Sequence, residues 1–193
     1  MAVKAGPRVV KEGLILHVDA AVSRSYSGTG LTVNGLVGGI GGTLVNGVGF
    51  GTTNNGYFIF DGTNDHINFG NSSILQQSSG TISAWAKTSS PGASYRGIIA
   101  KQGAYGLFYT DSVLVAYDWT ADTPRSTGIN IADNNWKNVV LTYQSGVSNG
   151  TRIYLNGVSV LTTTITIQSQ VANLFGGAEA NASQYASCQV SSF

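Results

Sequence analysis

Hydrolysis of a sugar bond needs two carboxyl groups, and a strand can present both to one substrate only if they sit at alternate positions and so face the same side. The chain has two glutamates, Glu12 and Glu179, and no strand-like run carries two acids at i and i+2. The nearest acidic pairs, Asp61 with Asp65 and Asp118 with Asp122, lie in turn-like sequence, where Asp ordinarily caps the local backbone. Histidines His17 and His66 are far apart, and no Gly-x-Ser-x-Gly nucleophile turn accompanies them. His17 sits in the apolar run LILHVDA and reads as a strand histidine with a satisfied ring; His66 follows a turn and is expected at the surface. Cys188 is the only cysteine, so no intrachain disulfide can form and no multi-cysteine metal site can be built. It reads as a small buried hydrophobe. Gly103 and Gly106 read as hairpin glycines, because no helix follows to complete a phosphate cradle. The residue types point away from catalysis and from zinc.

Charge narrows the partners. Lys and Arg number 10 and Asp and Glu 9, a formal charge of +1, so no net field draws nucleic acid or an anionic membrane. Only 10% of residues are charged, against roughly 25% in an average soluble chain. The surface must therefore be polar and nearly uncharged. No run approaches the roughly 18 apolar residues of a membrane span, and the opening MAVKAGPRVVKEG lacks the apolar core of a signal peptide, so export by that route is not expected.

The elements that must position any site are strands. Residues 1–12 carry Lys4, Arg8 and Lys11 among small residues without alternation, and are expected to form an arm outside one domain spanning 13–193. From Leu14 onward, short runs rich in Val, Ile, Thr, Tyr and Phe alternate with Gly, Asn, Asp and Ser clusters, and no helical period emerges. Strands are expected at 14–18, 43–45, 57–60, 66–69, 81–87, 97–101, 106–109, 113–117, 126–131, 137–143, 152–155, 158–164, 173–175 and 187–193. Such spacing argues for an all-β sandwich or barrel. Asn156-Gly157 is the preferred two-residue type I′ hairpin turn, which predicts Leu155 opposite Val158 and Ile153 opposite Val160. In WKNVVLTY, Val139, Leu141 and Tyr143 share one face, with Lys137 preceding them on it. The stretch NGLVGGIGGTLVNGVGFG is expected to be a long loop, with one short strand near Leu44, that could cover a sheet edge.

Six phrases, GLILHVDA, FIFDGTNDHINFG, TISAWAK, IIAKQGAYGLFY, WKNVVLTYQSG and RIYLNGVSV, occur in the order seen in concanavalin A-like domains of the laminin G-like group, and the chain resembles that family over about residues 13–193. The resemblance implies an antiparallel jelly-roll β-sandwich whose first and last strands, 14–18 and 187–193, are neighbours. The opening KAGPRVVKEGLILHVDAAVSRSYSGTG resembles, more narrowly, domains of tailed-phage virion proteins. One departure is LTVNGLVGGIGG, which stands where the family carries a Trp and an Asp-Leu-Ser-Gly-Asn-like turn.

Several expectations follow from that likeness. Relatives often bind calcium through loop carboxylates, which makes Asp111 and Asp118, flanking VLVAY, weak calcium candidates; no other cofactor is implied. Sugar binding on this fold uses an exposed aromatic plane beside amides or carboxylates, and Trp119 with Tyr117 and Asp118, in the turn-rich YDWTADTPRS, is the best match. Loop packing, ligand contact and an assembly interface all remain open for Trp119. Trp85 and Trp136 resemble positions that serve structure. The leading expectation is a non-catalytic structural protein of a phage virion, most simply a capsid decoration protein made in the host cytoplasm. It would bind the major capsid protein or other virion proteins, partly through Lys4, Arg8 and Lys11, and form a symmetric homo-oligomer. The alternatives are a tail-fibre or receptor-binding module that recognises cell-surface glycans, and a free lectin domain.

Overall fold

The computed structural model describes residues 10–92, 95–179 and 184–193. Lys4 and Arg8 therefore lie outside the described residues, and Lys11 is exposed. Among the described residues the strands are β1 (Thr32–Val33), β2 (Gly42–Val45), β3 (Gly49–Gly51), β4 (Tyr57–Asp61), β5 (His66–Asn68), β6 (Ser79–Lys87), β7 (Arg96–Lys101) and β8 (Tyr105–Thr110). They continue as β9 (Val113–Asp118), β10 (Thr123–Asn130), β11 (Lys137–Gln144), β12 (Thr151–Leu155), β13 (Val158–Thr163), β14 (Leu174–Gly176) and β15 (Ser187–Ser192). Two 3-10 turns, Thr53–Asn55 and Ser73–Leu75, are the only helical elements among them.

The strands form two antiparallel sheets, ordered β1-β2-β5-β14-β7-β8-β9-β10 and β13-β12-β11-β6-β15-β4-β3, and the expected all-β sandwich is what the chain builds. Alternation explains the core. In β11, Lys137, Val139, Leu141 and Tyr143 are buried while the residues between them are not, and β4 likewise buries Phe58 and Phe60. Both meet Ile67, Leu107, Tyr109 and Leu114 of the opposite sheet in one cluster. Lys137 begins this inward row, and its ammonium reaches back out to the half-exposed Asp133 carboxylate.

Several local expectations need correction. Segment 14–18 forms no strand. It meets the last strand only at its end, through Val18 N–H to Phe193 O (3.1 Å), Phe193 N–H to Val18 O (3.0 Å) and Ala20 N–H to Ser191 O (2.9 Å). The reason is occupancy: β4 pairs along that side of β15 as far as Val190, so only the last residues of β15 and Phe193 offer free groups there. The Asn156-Gly157 turn has both residues at positive φ, 50° and 80°, and Leu155 does face Val158. Ile153 pairs with Leu161 rather than Val160, because a bulge inserts one residue into β13.

The glycine-rich stretch contains two strands, β2 and β3, instead of one. At Gly51 a Cβ would sit 2.2 Å from the Tyr57 ring and at Gly42 2.6 Å from Ile67 Cγ2, so glycine is what permits each strand to lie close to its partner. His66 is buried, not superficial. Its ring stands edge-on to Phe175 (5.4 Å) and against Tyr185 (5.9 Å), with Nδ1 3.0 Å from the Asn64 carbonyl. Trp136 does serve structure, edge-on to Tyr57 at 5.7 Å and beneath the Lys87 ammonium at 5.9 Å. Trp85 does not: it is 46% exposed on the outer face of β6, the central strand of its sheet.

Candidate functional site

The site grows from the β7–β8–β9 meander. Alternation along YGLFYT sends Leu107 and Tyr109 to the core and Phe108 to the outer face, and along VLVAYD it sends Leu114, Ala116 and Asp118 inward and Val115 and Tyr117 outward. Phe108 pairs directly with Val115. With Ala100 of β7 these form a second apolar cluster, outside the main core, on which Tyr95, Tyr117 and Trp119 rest.

The four aromatic rings make a continuous wall. Tyr95 stands edge-on to Tyr117 at 5.2 Å and 80°, Tyr117 meets Trp119 at 4.7 Å and 53°, and Trp119 meets Phe108 at 6.3 Å and 69°. They enclose one side of a recess of about 200 Å³. Gln102, Glu179 and Gln184 supply its polar lining. Glu179 is 3% exposed. With its amide nitrogen turned toward them, Gln184 donates to the Tyr95 carbonyl (3.1 Å) and to the Glu179 carboxylate. Trp119 Nε1–H is buried without a hydrogen-bond partner.

The predicted triplet divides. Trp119 and Tyr117 line the recess; Asp118 does not. Asp118 lies on the inner side, where Oδ2 accepts the Arg125 guanidinium (2.7 Å) and Oδ1 accepts the amides of Ala121 (3.1 Å) and Thr166 (3.2 Å). Burial alone would raise its pKa, but the bonds from Arg125, Ala121 and Thr166 outweigh it and hold the carboxyl below the usual range. The Tyr117 hydroxyl donates to Asp122 Oδ1 (2.7 Å) and is pushed up to about 12, first by that bond, then by burial, with the Asp122 carboxylate, Tyr95 and Glu179 adding to it. Both charges make the surroundings of the phenol electronegative.

Asp111 lies in the turn before β9 and Asp118 at its far end, so the strand, about 17 Å long at about 3.3 Å per residue, separates them and one cation cannot take both. Among the described residues no group of three or more His, Cys, Asp or Glu could hold a metal. Asp61 and Asp65 do turn work: Asp61 Oδ1 caps Thr63 N–H at 2.7 Å, and Asp65 Oδ2 accepts from Asp61 N–H at 3.3 Å. Cys188 is buried, on β15 and in the core cluster. A larger hollow, about 780 Å³, lies between the sheets under Leu14–His17, lined by Leu75, Ile82, Ile99, Leu174 and the stacked pair Tyr105 and Tyr143 (5.0 Å).

Sequence reasoning reached Tyr117 and Trp119 through their polar, turn-forming neighbours and missed Tyr95, Gln102, Phe108, Glu179 and Gln184. Glu179 carried one signal, being the only glutamate within the sandwich segment, yet nothing in its spacing ties it to Trp119.

A lectin-like sandwich with an aromatic-walled recess on an outer face is the class that this fold and site define. The family model for the concanavalin A-like lectin/glucanases superfamily, laminin G type, matches residues 61–192, and the chain belongs to that family. Solved structures of the same fold include domain 4 of an extracellular arabinanase from Geobacillus stearothermophilus in complex with arabinotriose, with 14% identity, TM-score 0.63, and 91% of this chain and 90% of that one covered. Trypanosoma rangeli sialidase aligns at 13% identity and TM-score 0.68 over 100% of this chain and 31% of its own. The botulinum neurotoxin serotype D binding domain aligns at 16% identity and TM-score 0.61 over 93% of this chain and 47% of its own. The chain thus spans about a third of the sialidase and about half of the neurotoxin domain. At these identities the likeness is one of fold. No curated protein matches the chain.

Proposed function

We propose that the chain is a non-catalytic glycan-binding module. The observation that carries this reading is the recess walled by Tyr95, Phe108, Tyr117 and Trp119 and lined by Glu179, Gln184 and Gln102. Aromatic faces stack on the apolar faces of sugars while amides and carboxylates accept and donate to hydroxyls, which is the chemistry that holds a saccharide without transforming it. Among the described residues Glu179 is the one carboxylate lining it, where glycoside hydrolysis ordinarily needs two across the scissile bond. The fold neighbours support the reading: an arabinanase domain seen with arabinotriose, a neurotoxin binding domain, and botulinum neurotoxin type C, whose cell entry depends on two ganglioside molecules. A glycan array probed with the wild-type chain and with Trp119→Ala tests it. Binding lost in the variant supports the reading; hydrolysis of any polysaccharide, or no glycan bound, overturns it.

The module's setting is a tailed-phage virion, as a capsid decoration protein or a receptor-binding part of the tail. The likeness of the opening segment to virion proteins supports this, and so does Trp85, whose exposed ring on the central strand of its sheet suits packing beside the major capsid protein or a second copy. Lys4, Arg8 and Lys11 would form the attaching arm. Copy number in purified particles separates the two placements: hundreds for decoration, tens or fewer for a tail. Release from particles on deletion of residues 1–12 supports the arm.

A further inference from the structure

One sheet has a gap along its central strand. β6 pairs with β11 from Ser79 to Ala86, whereas on its other side β15 accompanies it only at Lys87, Ala86 and Trp85. There three chains run side by side: Trp85 pairs with Ser192, and Ser192 bridges to Asp19 on its far side. The two flanks thus stand two strand spacings apart, roughly 9.6 Å at about 4.8 Å each, with one strand between them. Phe193 carries the contact one residue further by exchanging backbone bonds with Val18 (3.0 and 3.1 Å). Past it the flanks run on, Ser79–Ala84 on one side and 14–17 on the other, and among the described residues no strand lies between them. Backbone parity shows what is left unpaired. Asn138 turns both its N–H and its C=O to Asn156 (2.9 and 2.8 Å), away from β6, so its partner Trp85 turns its own groups away from β11, and in alternation so do Ser83 and Thr81. The bond from Ser145 N–H to the Ser78 carbonyl (2.9 Å) keeps the same alternation. The N–H and C=O of Thr81 and Ser83 therefore point into the gap, and among the described residues nothing bonds them. Beneath the gap is the hollow of about 780 Å³, with Ile99, Tyr105 and Leu174 of the opposite sheet as its floor. The Tyr105 hydroxyl already donates to the Leu75 carbonyl (2.8 Å), so the floor offers carbon surface.

We propose that the gap takes an extended segment of a partner polypeptide, entering antiparallel to β6 and in line with β15. Its polar residues pair with Thr81 and Ser83, and its apolar residues, opposite Gly80, Ile82 and Ala84, face the hollow. Three observations select such an occupant: an open backbone edge is satisfied by another backbone, the width admits one strand, and a polar outer face above an apolar floor calls for alternation. The free stretch Ser79–Ala84 is about 20 Å long at about 3.3 Å per residue, enough for five residues of ligand. This site is separate from the recess and does not depend on what the recess binds.

The test is titration of the full chain with three peptides: acetyl-Lys-Val-Thr-Val-Thr-Val-Lys-amide, the same peptide N-methylated at both threonines, and the shuffled acetyl-Lys-Val-Val-Thr-Thr-Val-Lys-amide. Calorimetry should show the alternating peptide binding at least about tenfold more tightly than either control. In NMR spectra the Thr81 and Ser83 amides should exchange with solvent at least about tenfold more slowly once it is bound. Thr81→Pro deletes the N–H that faces the gap and none of the bonds to β11, and should abolish binding while the thermal transition of the variant shows that it folds. The wild-type comparison stands even if that variant does not fold. Equal binding of the N-methylated peptide would mean that side chains dock without strand pairing, and overturns the proposal. Failure of every peptide to bind overturns it too, as do Thr81 and Ser83 amides already protected in the peptide-free chain, because the chain would then close its own gap. The glycan array reads the recess separately, so glycan binding and strand binding stand or fall independently.

Discussion

Tyr117 and Asp118 are adjacent in sequence and serve opposite faces of one sheet: the Tyr117 hydroxyl reaches Asp122 at 2.7 Å beside the recess, while Asp118 takes the Arg125 guanidinium at 2.7 Å on the inner side. Arg125 arrives there because it pairs with Ala116, two residues before Asp118 and on the same face. The period-two geometry of a strand thus splits one polar sequence cluster into one wall of the recess and the clamp beneath it.

Breaking the clamp should cost stability. Asp118→Ala leaves a guanidinium without its carboxylate and two amides without their acceptor. Because the Arg125 side chain is 32% exposed, the loss falls below the 3–5 kcal/mol of a fully buried pair, and about 1–3 kcal/mol is expected in urea unfolding. The pH dependence has a fixed sign. The carboxyls of Asp118 and Asp61 are held below their ordinary values in the folded chain, so their contribution is complete above about pH 4 and is lost as pH falls through the lowered folded values. A wild-type midpoint that does not fall in acid relative to Asp118→Ala would contradict this.

Asp65 should behave oppositely. Burial, and then repulsion from Asp61, raise its pKa, so the folded state disfavours its charge and the cost grows as pH rises above the unfolded value. Asp65→Asn removes the charge and keeps an oxygen to accept from Asp61 N–H. The variant should melt no lower than wild type at pH 7 and should lose any advantage near pH 4, as differential scanning calorimetry at the two pH values would report.

How much of this was legible beforehand differs by element. The β11 row Lys137, Val139, Leu141 and Tyr143 could be read directly, because its alternation is strict and one face is buried. The Asn156-Gly157 turn could be read too, while the bulge after it could not, since one extra residue in β13 depends on packing and not on turn chemistry. Segment 14–18 has the composition of a strand but lacks a free partner, and β3 has a partner but lacks the composition. Tertiary context decided both. The site was half legible. Tyr117 and Trp119 announced themselves through local sequence, but Tyr95, Phe108 and Glu179 join them only through the folding of distant segments onto one face. His66 was misjudged for the same reason, since the rings that bury it, Phe175 and Tyr185, lie more than a hundred residues away.

The hairpin tip offers a local test. Asn156 holds φ at 50° and its Oδ1 accepts from Asn138 N–H at 2.9 Å, tying the β12–β13 turn to β11. Asn156→Ala forfeits the bond and places a Cβ in left-handed backbone, which together should cost about 1–2 kcal/mol. Asn156→Gly relieves the backbone and forfeits only the bond, so its loss should be about half as large. Equal losses in the two variants, measured by urea unfolding, would remove the conformational part of the argument.

Cys188 tests the core without altering it. The thiol is buried in β15, and desolvation pushes its pKa up to about 12 from an ordinary value near 9. Thiolate is the reactive species, so the upward shift depletes it near neutral pH, and occlusion slows reagents further. Labelling by a disulfide reagent should therefore be negligible in the native chain and rapid in urea, and native labelling should proceed only as fast as β15 opens. Destabilising Asn156→Ala should speed it only if the β12–β13 edge and β15 open together, because β11 and β6 stand between them. Rapid labelling of the native wild type, with its melting transition unchanged, would show that β15 is not held in the core as described.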